Sequence, residues 1–92
     1  MFKGKQSSKH TKIVVNYNTG MNNNLYIRGN GGGLHWDKGV QLKNHGPDEW
    51  IWETDKPFVD CEFKVLIDDN RYEQGENHHI HSGGWLRYSP KF

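Results

Sequence analysis

The chain has 92 residues, 33% of them hydrophobic, which allows one small domain with a modest apolar core and excludes a multidomain enzyme. Twelve Lys and Arg against eleven Asp and Glu give a formal charge of +1, too balanced for a module that lives on phosphate contacts, so no nucleic acid is expected and the partner should be neutral. A single cysteine, Cys61, cannot close an intramolecular disulfide, and no apolar run approaches the ~20 residues that cross a bilayer.

Residues 1 to 11 are polar and basic without a period and read as a disordered arm. They hold no apolar stretch of the kind a secretory signal needs, so with a lone thiol the expectation is a reduced, cytoplasmic protein. The domain proper is expected over residues 12 to 92. Ile13, Val15 and Tyr17 alternate with Val14 and Asn16, a β-branched run of period two that predicts the first strand. Residues 18 to 24 are a turn cluster. Residues 25 to 28 form the next strand with Leu25 and Ile27 inward, either as a hairpin with the first or crossing to a second sheet.

Residues 29 to 39 are rich in glycine, but no helical pattern follows and no Gly-Lys-Ser/Thr closes the segment, so a phosphate-binding loop is not expected. It reads as a flexible inter-strand loop that presents Trp36. A short strand over residues 40 to 43 and a turn over 44 to 48 lead to residues 50 to 53, where Trp50 and Trp52 share a face. Residues 61 to 67 are the longest strand. Cys61, Phe63, Val65 and Ile67 fall on one face and Glu62, Lys64 and Leu66 on the other, which points Lys64 away from the core. Asp68-Asp69-Asn70 is a hairpin-type turn, residues 71 to 74 return, residues 77 to 81 form a short strand, and residues 85 to 88 are the last. Alanine is absent, whereas Gly occurs eleven times and Asn nine, so helices are not expected. About seven short strands with turn signals between them predict an all-β fold, an antiparallel immunoglobulin-like β-sandwich.

The carboxylates are scattered or sit in turns, no Gly-x-Ser-x-Gly elbow occurs, and Cys61 lies on the inward face. Glu62, Glu73 and Glu76 could still meet in space, but so small a domain offers no deep cleft in which to raise a pKa, and a non-catalytic protein is expected. His79 and His81 share one strand face beside His78, and two imidazoles at that spacing can chelate a transition metal. No Cys pair completes a four-ligand zinc site, the competing reading is a set of surface histidines, and no cofactor is expected.

Twelve aromatic residues exceed what so small a core needs. An exposed indole or phenol ring can lie flat against the C–H face of a sugar, while Lys, Asn, Gln and Glu supply donors and acceptors for its hydroxyls. The competing reading assigns Trp36, Trp50, Trp52 and Trp85 to filling and capping the sandwich. Tyr17, Trp50, Phe63 and Trp85 are expected in packing; Trp36 and Tyr72 occupy loop and hairpin positions where packing does not demand a ring.

The order of motifs resembles the starch-binding type of carbohydrate-binding module: Leu25-Tyr26-Ile27-Arg28-Gly29, Leu34-His35-Trp36-Asp37, Trp50, Glu62-Phe63-Lys64, and Tyr72-Glu73-Gln74-Gly75-Glu76-Asn77 match family 20 in sequence order. Val15-Asn16-Tyr17-Asn18-Thr19-Gly20-Met21-Asn22-Asn23 looks like the opening of family 25 modules. The resemblance spans about residues 12 to 81. It implies an α-1,4-glucan or maltooligosaccharide partner, such as starch or glycogen, bound without catalysis. Trp36 and Tyr72 would stack on glucose rings, with Tyr72 standing where the family has a tryptophan and Glu76 where family 20 has a proline. Lys64, Glu73 and Asn77 would be the polar partners, and Trp50 would lie near a second site present in some members. Affinity is expected between micromolar and millimolar, strengthened by tethering to a glucan-active enzyme or by homodimer formation. The rival expectation is an interaction or structural module of the same fold that binds no sugar.

Overall fold

The structure is a computed structural model and describes residues 10–92. Among the described residues nine strands make two sheets: β1 (Thr11–Asn16), β2 (Leu25–Asn30), β3 (Val40–Gln41), β4 (Lys43–Asn44), β5 (Glu49–Thr54), β6 (Asp60–Ile67), β7 (Arg71–Tyr72), β8 (His78–His81) and β9 (Trp85–Tyr88). One sheet runs β4-β5-β1-β9; the other runs β3-β2-β6-β7, with β8 also paired to β6. The all-β sandwich expected from the alternating pattern is therefore the fold. Its strand pairs are antiparallel except β1 with β9, which run parallel.

Most residues of the expected arm, 1 to 9, lie outside the described residues; the expected boundary after residue 11 does not hold. Thr11 opens β1, is fully buried, and its Oγ1 accepts the Gly83 N–H at 2.7 Å. Ahead of it, His10 places Nε2 at 2.6 Å from Glu53 and Nδ1 at 2.7 Å from Asp55. The contacts with Asp55 and then Glu53 raise its pKa.

Period-two alternation decides which side chains meet between the sheets. Ile13 and Val15 of β1, paired with Trp52 and Trp50 of β5, face Leu25 and Ile27 of β2 and Cys61, Phe63 and Val65 of β6 in one apolar cluster. Trp50 and Trp52 are both buried, and the Trp50 indole N–H donates to the Tyr17 carbonyl at 3.1 Å. Burial pushes the Cys61 thiol up to about 11.

The strand expected over residues 40 to 43 divides at Leu42. Val40 and Gln41 pair with β2, Lys43 and Asn44 pair with β5 in the other sheet, and Leu42 between them is buried and donates its N–H to Leu25 O at 2.9 Å. The chain changes sheets there, which makes two strands, β3 and β4, of the one expected. The glycine-rich segment is a pinned turn: Gly31, Gly32 and Gly33 all have positive φ, Leu34 N–H returns to Gly31 O at 3.1 Å, and Leu34 itself plugs the core.

At Gly29 the backbones of β2 and β6 approach so closely that an added Cβ would lie 2.2 Å from Glu62 O and 3.1 Å from Phe63 Cα. Neither neighbour is a flexible side-chain tip that could move aside, so Gly29→Ala should lower the unfolding free energy by about 3 kcal/mol. Urea denaturation of the variant against wild type measures it.

Candidate functional site

The outward rows of β2 and β6 put two cations directly opposite one another, Arg28 and Lys64. Like charges in that position repel across an antiparallel pair unless each finds a partner. Arg28 donates Nε to Asp69 Oδ1 at 2.9 Å, Nη2 to Asp69 O at 2.8 Å, Nη1 to Trp36 O at 3.1 Å and Nη1 to Tyr72 Oη at 3.4 Å. Lys64 turns the other way and donates Nζ to Glu73 O at 3.0 Å.

These bonds gather separate segments onto one face. Asp68 and Asp69 both have positive φ (53° and 58°), and Asn70 N–H closes the turn onto Ile67 O at 3.1 Å, the geometry that lets a tight hairpin follow strand twist. The turn delivers the Asp69 carboxylate to Arg28 and, through Oδ2 at 3.2 Å, to the Gly39 N–H in the loop that carries Trp36. Tyr72 follows on β7, opposite Leu66 on the outer face, 44% exposed, with the Arg28 guanidinium 5.8 Å from its ring centre. Trp36 is half-buried in the loop over residues 31 to 39, and its backbone carbonyl accepts from Arg28. Asn77 is exposed and donates Nδ2 at 2.7 Å to Glu62 Oε2 on the outer row of β6. Trp36, Lys64, Tyr72 and Asn77 thus belong to the outer side of the five-stranded sheet or its bordering loops.

Glu73 does not. Adjacent residues on an extended chain point to opposite faces, so an outward Tyr72 sends Glu73 inward. Its residue exposure is 3%, and both carboxylate oxygens are taken: Oε2 accepts Val65 N–H at 2.7 Å and Tyr88 Oη–H at 2.8 Å, while Oε1 lies 2.9 Å from His78 Nε2. The expectation that its side chain faces a ligand is corrected by this buried network; only its backbone carbonyl, holding Lys64, serves the outer face. Trp85, expected in packing, is 69% exposed on the outer face of the four-stranded sheet.

Tyr26 and Arg28 alternate with Leu25 and Ile27, so the same period that placed Lys64 outward also placed Arg28 there. His79 and His81 share the outer face with Asp60, at 3.4 Å and 3.6 Å, and among the described residues no group of three or more His, Cys, Asp or Glu could hold a metal ion. A hollow of about 580 Å³ lies elsewhere, between residues 18 to 24 and residues 44, 46 and 47, with buried Trp50 as part of its wall. Among the described residues no helix is long and apolar enough to cross a membrane. No protein-family model matches the chain, and no match is found among curated proteins.

The Arg28 hydrogen bond, followed by that from Gly39 N–H, holds the Asp69 carboxyl below the ordinary carboxylate range. A depressed folded-state pKa contributes stability that is complete above the unfolded value of about 3.9 and is lost as pH falls through the folded value. Calorimetry of wild type and Asp69→Asn should show a gap in thermal midpoint at neutral pH that closes progressively below about pH 4. For the inner network, burial and then the Glu73 charge push the Tyr88 hydroxyl pKa upward. Tyr88→Phe removes one donor from a buried carboxylate and should cost about 2 kcal/mol in chemical denaturation.

Proposed function

We propose that the outer side of the five-stranded sheet is a non-catalytic carbohydrate-binding face for α-glucan chains, as in the starch-binding modules whose motif order the sequence resembles. The observation that carries this reading is the convergence on Arg28: the Trp36 loop and Tyr72 are both bonded to it, and Lys64 lies opposite it. Two aromatic residues from different segments flank a row of amide, ammonium and guanidinium donors. A sugar offers the matching surfaces, apolar ring faces and hydroxyl edges. Arg28 holds Tyr72 by its hydroxyl and the Trp36 loop by a backbone carbonyl, Lys64 and Asn77 with Glu62 are the polar partners, and Glu73 supports them from beneath.

Burying about 60 Å² of apolar surface on one ring contributes about 1.5 kcal/mol, and association entropy removes several, so binding is weak, between micromolar and millimolar. Retention on insoluble starch, competed with a soluble cyclic maltooligosaccharide, tests the reading. Wild type should be retained and displaced by the sugar; Tyr72→Ala and Trp36→Ala should each bind about tenfold more weakly while remaining folded. Folded wild type that shows no binding at millimolar sugar removes the reading.

A further inference from the structure

The four-stranded sheet ends at β9, and among the described residues no strand pairs with its outer edge. The Lys12 N–H donates to Gly84 O at 3.0 Å just ahead of β9, so the residues of β9 alternate: Leu86 and Tyr88 aim their backbone groups at β1, and Trp85 and Arg87 aim theirs at the open edge. Natural sheets blunt such edges with proline, lysine, bulges or very short strands. The edge strands β3, β4 and β7 are two residues long, and β8 carries His79 and His81 beside Asp60. Over its four residues, Trp-Leu-Arg-Tyr, β9 has no proline, lysine or bulge, and its one charge, Arg87, leans over β1 to Glu49 rather than over the open edge.

The side chains on the outer face of β9 are complementary to themselves. Trp85 is 69% exposed, and Arg87, with a side chain 60% exposed, lies across β1 with Nη1 at 3.2 Å from Glu49 and 3.0 Å from Asn16 Oδ1. The indole already takes one cation, with Lys12 Nζ at 4.9 Å from its centre. In an antiparallel pair of β9 strands centred on Leu86, Trp85 of one copy stands opposite Arg87 of the other, and the reverse. Each such pair exchanges both N–H···O bonds from the groups that face the open edge, and the Arg87 guanidinium reaches the opposite indole by leaving Glu49 and Asn16.

We propose that this chain forms a two-fold dimer through β9, joining the two four-stranded sheets edge to edge. A two-fold axis normal to that sheet turns both five-stranded sheets to the same side. On the glucan reading, on which this consequence rests, the dimer offers two binding faces to one insoluble surface and gains avidity without a new sugar contact.

Sedimentation velocity of the full chain without sugar, across micromolar to millimolar protein, tests the dimer independently of any glucan. The weight-average mass of wild type should rise toward that of two chains. Arg87→Pro removes an edge-facing N–H that the β1 ladder does not use, and Trp85→Lys sets like charges opposite one another; each should stay monomeric at every concentration with the β-sheet circular dichroism of wild type. Should Arg87→Pro fail to fold, Trp85→Lys makes the comparison alone. A wild type that remains monomeric throughout, or a folded variant that dimerises as wild type does, overturns the proposal.

Discussion

A carboxylate inside a small sandwich is costly unless each of its oxygens is met. Glu73 meets that condition by bonding across both layers: Val65 on β6 and His78 on β8 belong to one sheet, Tyr88 on β9 to the other. The rings of Phe63, His78 and Tyr88 close around it, with His78 and Tyr88 centroids 4.4 Å apart and Phe63 and His78 centroids 5.1 Å apart. Apolar surface alone would hold these layers together without fixing their lateral position, whereas directed hydrogen bonds to a single buried group set it. The same residue anchors Lys64 through its carbonyl and, because neighbours on an extended strand point oppositely, turns Tyr72 outward. The outer face therefore depends on an inner charge.

On that outer face a repulsive pairing does the organising. Arg28 and Lys64 repel from directly opposite positions, and the structure separates their charges by drawing one toward the turn at Asp69 and the other toward Glu73 O. Arg28 then holds the Trp36 loop and the β6 to β7 hairpin with one planar group. Its several donors in fixed geometry suit it to that task better than a lysine, whose ammonium is a single point charge on a flexible stem.

Alternation made much of this legible in advance. It gave the inward rows of β1, β2 and β6, the outward Lys64, and a chain built of short strands without helices. The division at Leu42 was not legible, because four residues of strand propensity look the same whether they stay in one sheet or pass to the next; backbone pairing, not side-chain type, decides it. The parallel partnership of β1 and β9 escaped for a related reason, since it joins segments with no local signal in common. Of the candidate site, motif order points to Trp36, Lys64, Tyr72 and Asn77, all on the outer side or its bordering loops, and to Glu73, which is buried. Strict use of the period would have placed Glu73 inside and named Arg28 instead. Trp85 shows the converse error: its size suggested packing, but its row in β9 faces solvent.

The parallel pair also bears on how the domain is made. β1 is an inner strand of its sheet, yet one of its two neighbours is the last strand of the chain. Contacts between such distant segments form late, after the loop entropy between them has been overcome, and sandwiches dominated by them fold in milliseconds to seconds. On the ribosome the delay is longer still. Until residues 85 to 88 have emerged, β1 can complete only its pairing with β5, and one side of Thr11–Asn16 stays open for a chaperone or another nascent chain to occupy.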